Sequence, residues 1–222
     1  MITYKMLIHN KLENEVKMPR DKTESHIRVK AAIKAEFLEK GYEGASIRSI
    51  GERAGMTSAG LYRHYPDKEA MFSAIVDPLI KEINDWAKSH KKKKYNLADK
   101  DEQRKELFGE SFVDLIINVI LPRKDEFRML ITSSKGTKYE NFIHNYVEDN
   151  QKDFMDAFEY LKKQGYHVKD IDEESLHVLL SAYVTACFEP VIHDYSDERI
   201  KSYMKMIQEF FMPGWMNIMG MN

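Results

Sequence analysis

An all-α fold is predicted, built as a three-helix N-terminal unit with two short helices, followed by a larger helical body. Apolar residues recur at three-to-four spacing rather than alternating, so no segment reads as a strand. Only ten glycines and six prolines punctuate the 222 residues. The chain is 43% apolar and 11% aromatic, enough to bury a sizeable core, while 32% charged residues and a mean hydropathy of -0.55 keep the outside solvated. Collagen-like, coil-only and disordered classes are excluded, and the length suits one large domain or a small one joined to a larger one.

The first helix is expected over 24–40. Val29, Ala32, Ile33 and Phe37 make one stripe, Lys30, Lys34 and Glu39 face away, and Gly41 supplies the stop. Ser46 can cap a short second helix over 47–53 that ends at Gly55, and Thr57 a third over 58–65 that ends before Pro66. Asp67 caps a fourth that runs past Trp86, with Pro78 as a kink, until Lys91 to Lys94 break the pattern into a solvated loop. Longer helices are expected at 101–121, 123–134, 137–164, 172–194 and 196–212.

Charge divides as helix length does. Residues 1–70 hold 13 Lys/Arg against 10 Asp/Glu, net +3, and the remainder 21 against 26, net -5. Two short helices joined by a tight glycine-containing turn, under a longer helix, form the layout of a helix-turn-helix DNA reader. The second of the pair must be slim and polar outside to enter a major groove about 12 Å wide. Residues 57–65 meet this, with Leu61 and Tyr65 inward and Thr57, Ser58, Ala59, Tyr62 and His64 outward. Arg48, Arg53, Arg63 and Lys68 supply positive charge for phosphates, and the helix starts at Ser46, Thr57 and Asp67 supply amide donors.

The stretch 37–72, FLEKGYEGASIRSIGERAGMTSAGLYRHYPDKEAMF, resembles the N-terminal domain of TetR-type (TetR/AcrR) bacterial transcriptional regulators. Its matching elements are Phe37 and Gly41-Tyr42 closing the first helix, Ser46 and Ile50 in the second, and Ala54-Gly55 in the turn. Leu61-Tyr62, Arg63-His64-Tyr65 and Lys68 complete the match. The resemblance implies Ser46 and Arg48 on phosphates, Thr57 and Ser58 near base edges or backbone, Tyr62 and His64 on phosphates, and Lys68 on the DNA backbone. Ala59 joins this face. One departure is plain: where such regulators usually carry Gly then Thr, this chain has Ala59 then Gly60. Glycine inside a helix costs about 1 kcal/mol against alanine, which close approach to a duplex could offset.

The resemblance further implies a homodimer formed by the two C-terminal helices and a small-molecule effector held in the body. Leu180, Val184 and Phe188 on one helix, with Met204, Ile207 and Phe211 on the next, are the expected dimer residues; Leu176, Ile200 and Tyr203 lie on the same stripes. Trp86, Phe112, Met129, Phe142, Tyr146 and Tyr183 are the expected effector residues, suited by their apolar surface to a lipophilic or aromatic ligand. The implied function is a repressor that binds double-stranded operator DNA and is released by its effector; the alternative is a helical DNA-binding or architectural protein without one. The expected divisions are an arm over 1–20, a helix-turn-helix domain over 21–68 and an effector-binding and dimerisation domain over 69–222. Within the arm, Met18 is a candidate start, or Lys5, Lys11, Lys17 and Arg20 reach along the duplex.

No phosphate loop, nucleophile elbow or supported acid pair is present, so no enzyme is expected. Glu174 with His177 and Glu189 with His193 are helix-face pairs lacking the further ligands of a metal centre; no metal or cofactor is expected. A single cysteine, Cys187, excludes an intrachain disulfide and sits in an apolar run as a core or interface residue. The first residues lack the apolar stretch of a signal peptide, and the run Leu115 to Leu121 falls short of the roughly 20 residues that cross a bilayer, so a cytoplasmic location without membrane contact is expected.

Overall fold

The computed structural model describes residues 22–94 and 110–221, so the 1–20 arm with Met18 and its basic side chains, and the start of the helix expected at 101, lie outside the described residues. Every regular element among the described residues is helical.

α1, Lys22–Gly44, buries the expected stripe of Val29, Ala32, Ile33 and Phe37. Gly41, at φ 68° and ψ 172°, breaks its axis where the stop was expected. α2, Ile47–Ala54, starts at Ser46, whose side chain accepts from the Ser49 amide. It ends at Gly55 in the left-handed region; the Gly55 amide returns to the Glu52 carbonyl at 3.2 Å and the Met56 amide to that of Gly51 at 2.8 Å. α3, Ser58–Tyr62, is shorter than the expected 58–65. The residue before Pro66 is disfavoured in the helical region, so the chain turns at Arg63 and drops Tyr65 into the core. α4, Lys68–Lys94, is capped by Asp67, which accepts from the Ala70 amide at 2.7 Å. It continues through Lys91 to Lys94 instead of breaking there, because lysine is a good helix former and neither Gly nor Pro intervenes.

The body comprises α5 (Glu110–Leu115), α6 (Lys124–Thr132), α7 (Phe142–Lys163), α8 (Glu173–Ile192) and α9 (Asp197–Ile218). A wide π turn over Ile116–Ile120 and a 3-10 turn over Leu121–Arg123 carry α5 into α6, so Pro122 is absorbed where a break was expected. α9 runs past Pro213, beyond the expected end at 212, because Trp215 and Met219 are buried and anchor its last turns. α8 is long and apolar enough to cross a bilayer, a property hidden from a reading based on unbroken apolar runs. Here it packs against α6, α7 and α9 with Leu176, Leu180, Val184 and Phe188 buried, as a core helix does.

α4 belongs to both halves: Phe72 meets Phe37 and Tyr42 at ring separations of 5.1 and 5.8 Å, while its later turns face α5 and α6. α6 bridges the same halves. Lys34 of α1 pairs with Asp125 and Glu126 at 3.4 and 3.6 Å, and Lys124 and Arg128 each reach Asp194 in the α8–α9 turn at 2.9 Å. Beyond α6, the Tyr42 amide donates to the Ser133 carbonyl at 2.8 Å and Lys135 pairs with Glu43 at 3.4 Å.

Candidate nucleic-acid interface

The turn between α2 and α3 is set by close backbone packing. A Cβ on Gly51 would lie 2.7 Å from the Met56 carbonyl oxygen, closer than real contacts allow, so a glycine at this position lets the turn sit against α2. Leu61 is fully buried beneath α3 and Thr57 Oγ1 accepts from the Gly60 amide at 3.1 Å, which fixes the helix start. What remains outward is Ala59, Tyr62, Arg63 and His64, with Ser58 half-buried at the edge and Thr57 at the cap. Tyr62 is 51% exposed although aromatic, so packing within the subunit does not explain its ring. Arg48 on α2 is open to solvent beside this face, in a one-turn pair with Glu52, and Ser46 is exposed at the α2 cap. At Gly60 an added Cβ would meet only Thr57 Oγ1 at 3.4 Å and the flexible Met56 side chain, so intrachain sterics do not demand this glycine.

Two cations depart from the expected role. Arg53 does not stand free for phosphates: its Nε donates to Glu36 Oε2 at 2.9 Å and its other arm pairs with Glu39. Lys68 is half-buried, with Nζ donating to the Tyr42 and Ala45 carbonyls at 2.7 and 3.2 Å and lying 4.4 Å from the Tyr42 ring. It clamps α4 to the α1–α2 junction, and sequence spacing alone carries no sign of this because the acceptors are main-chain atoms.

Sequence reasoning also missed Glu36, which is fully buried. Its carboxylate accepts from Ser49 Oγ at 2.7 Å, Lys40 Nζ at 2.9 Å, Arg53 Nε at 2.9 Å and the Ser46 amide at 3.4 Å. Burial alone would raise its pKa; the hydrogen bonds from Ser49, Lys40 and Ser46 and the Lys40 charge outweigh it and hold the carboxyl at about 2. This hub ties α2 to α1 and so fixes the angle at which α3 is presented.

In the body, an aromatic network joins α5, α7, α8 and α9. Phe112 lies 5.4 Å from Tyr183, 5.7 Å from Phe188 and 6.1 Å from Tyr146, and Tyr146 lies 6.3 Å from Phe142. Tyr183 continues it to Phe211 at 5.1 Å and Trp215 at 6.3 Å. The structure thus brings together Phe112, Phe142, Tyr146 and Tyr183 of the expected effector residues. Met129 is fully buried in α6, and Trp86 stacks on His90 one turn along α4 at 3.9 Å. Tyr183 Oη and Trp215 Nε1 are buried without a hydrogen-bond partner among the described residues, each a cost of about 1–3 kcal/mol. Burial pushes the Cys187 thiol up to about 12, so it is inert at neutral pH.

The expected dimer residues are corrected. Leu180, Val184, Phe188, Met204 and Ile207 are buried inside the subunit and Phe211 is half-buried against Tyr183. They are the inward stripes of α8 and α9. The apolar side chains left open on these helices are Val178, Leu179, Met206 and Phe210, the last 76% exposed. The available signal was that α8 is apolar on more than one face, which requires a second cover. His177 hydrogen-bonds Gln151 at 3.1 Å and His193 pairs with Glu189 at 3.0 Å, and no metal-holding cluster is found among the described residues.

A short polar helix set by a three-residue glycine turn on a capped partner, beneath a covering first helix, defines a helix-turn-helix protein of the all-helical DNA-binding class. Residues 30–75 match the profile of the bacterial regulatory proteins of the tetR family. The HTH-type transcriptional repressor KstR2 of Mycobacterium tuberculosis is 25% identical over 150 residues, 64% of this chain and 69% of that protein. PfmR of Thermus thermophilus, a TetR family transcriptional regulator, shares the fold with a TM-score of 0.53 and 18% identity over 82% of this chain and 97% of its own. AibR, crystallised with isovaleryl coenzyme A and operator DNA, does so with a TM-score of 0.52 and 20% identity over 83% and 98%. Residues 30–75 thus carry the helix-turn-helix pattern of the tetR-family regulatory proteins, and over most of its length the chain is similar to TetR-type transcriptional regulators.

Proposed function

We propose that this protein is a repressor that binds operator DNA as a homodimer and leaves it when a small, largely lipophilic effector enters the body. The carrying observation is the outward face of α3: an exposed Tyr62 with Arg63 and His64, flanked by Arg48, on a helix whose other side is sealed by Leu61. Ser46, Arg48, Thr57, Ser58, Ala59, Tyr62 and His64 form the DNA-facing set, and Lys68 acts as a clamp behind it. Regulators of this type work beside the chromosome, which accords with a cytoplasmic location.

The dimer pairs α8 and α9 with their mates through Val178, Leu179, Met206 and Phe210, and so presents two α3 helices to half-sites about 34–36 Å apart. The corresponding division is an N-terminal arm over 1–20, a DNA-reading domain over 21–68 and a sensing and pairing domain over 69–222, with α4 packed against both of the latter. The effector lies among Phe112, Phe142, Tyr146 and Tyr183; that AibR is named with both an acyl-coenzyme A and its operator supports a ligand-responsive reading. Entry of the effector shifts α4 and α6, changes the spacing of the two α3 helices and lowers DNA affinity by a coupling of roughly 1–3 kcal/mol.

The test is fluorescence anisotropy on duplexes selected by the purified protein from a random library, titrated in rising salt. Arg48→Ala is expected to lower affinity and flatten the salt slope by about one, and Tyr62→Ala to lower affinity with folding unchanged. Unaltered affinity and slope in both variants would reject the assigned face.

A further inference from the structure

Within the aromatic network of the body, two hydrogen-bond donors are left unanswered by folding, Tyr183 Oη and Trp215 Nε1. Tyr183 is 5% and Trp215 4% exposed, their rings lie 6.3 Å apart at 76°, and neither Tyr183 Oη nor Trp215 Nε1 has an oxygen or nitrogen acceptor among the described residues. The Cys187 thiol stands near the Tyr183 hydroxyl, but sulfur is a weak acceptor. Buried polar groups are nearly always satisfied, so orphaned ones mark a place where the bonding partner comes from elsewhere. The surroundings are Phe112, Phe211 and Phe154, whose rings lie 5.1–5.4 Å from Tyr183 or Trp215.

Resting on the effector reading above, we propose that Tyr183 and Trp215 read an uncharged carbonyl oxygen on a lipophilic effector, the class of apolar ketones, esters and lactones. The indole nitrogen can only donate, so the ligand must bring an acceptor. A carbonyl oxygen carries two lone pairs and no proton, so it can accept from either donor. A carboxylate is disfavoured: it would carry a charge into an apolar core formed by Phe112, Phe154 and Phe211. An amine brings donors to a place that already has a surplus of them.

The experiment uses the full chain and size-matched sets of cyclic and aryl ketones, hydrocarbons, carboxylic acids and amines, read by thermal shift and by intrinsic fluorescence. A Trp86→Phe background leaves Trp215 as the reporting indole, because the chain has two tryptophans. Ketones are expected to raise the melting point and shift Trp215 emission, with the other sets binding at least about tenfold more weakly. Tyr183→Phe is expected to keep or raise the melting point of the unliganded protein, since it removes an orphaned hydroxyl, and to lose about tenfold in ketone affinity. A Tyr183→Phe variant that melts lower without ligand and retains the ketone preference would show a purely structural hydroxyl and overturn the proposal. Hydrocarbons, acids or amines that bind as well as ketones overturn it and leave the effector reading standing. No binding in any set, with operator binding intact, overturns both and leaves the DNA reading in place.

Discussion

Lys68 and Glu36 show how far a residue's identity can mislead when its partners are unknown. A lysine at the start of α4 looks like a phosphate contact, but its ammonium is held by the Tyr42 and Ala45 carbonyls. Lys68→Met is therefore expected to lower stability by about 1–3 kcal/mol, because two carbonyls lose a charged donor, and to leave the salt slope of operator binding unchanged. A slope reduced by about one at unchanged melting temperature would restore the DNA contact. Glu36 gives a pH dependence of definite sign. Its folded pKa of about 2 lies below the usual 4.5, so its contribution is complete above about pH 4.5 and is lost as pH falls toward 2. A shift of that size corresponds to on the order of 3 kcal/mol. Acid denaturation followed by circular dichroism should show this loss in the native chain and its flattening in Glu36→Gln, which should be less stable at neutral pH. Gly60→Ala adds a Cβ into ordinary contact distance, so it should stabilise the fold by about 0.5–1 kcal/mol. If the duplex approaches that backbone, the same change weakens operator binding, which anisotropy would detect.

Among the elements, helix ends and helix faces were legible to different degrees. The α1 stripe, the Ser46, Thr57 and Asp67 caps and the Gly55 stop follow from local spacing and local hydrogen bonds, and the structure has each of them. The faces of α8 and α9 are not local facts. Leu180 and Leu179 are adjacent and chemically alike; only the positions of α6 and α7 decide which is buried. Phe188 and Phe211 were legible as apolar stripe residues but not as intrachain neighbours of Tyr146 and Tyr183, since those contacts cross helices. Phe210→Glu on the open face is expected to yield a folded monomer in sedimentation, with operator affinity reduced by about 10²–10⁴ through loss of bivalent engagement. A variant that remains dimeric would move the pairing surface elsewhere. Phe188→Glu, by contrast, would place a charge in the aromatic network and should unfold the body.

Across the whole molecule, α4 and α6 carry the contacts between the DNA-reading unit and the body. Pro78 interrupts the α4 hydrogen-bond ladder beside a cleft of about 210 Å³ lined by Lys30, Lys34, Arg123 and Glu126, which leaves room for that helix to tilt. Tyr139 secures the opposite side: its ring stacks on Phe72 at 5.7 Å and its hydroxyl donates to Asp77 and bonds Ser73 at 2.8 Å. The sequence showed a proline inside α4 but not what flanks it, because Lys30 and Arg123 are far apart along the chain.

The Tyr42–Ser133 bond between α1 and the end of α6 is made entirely of main-chain atoms. Side chains at both positions can therefore be exchanged without erasing it, and among the standard residues only proline at position 42 removes the donor. The join between α1 and the end of α6 is thus indifferent to which side chains the two positions carry.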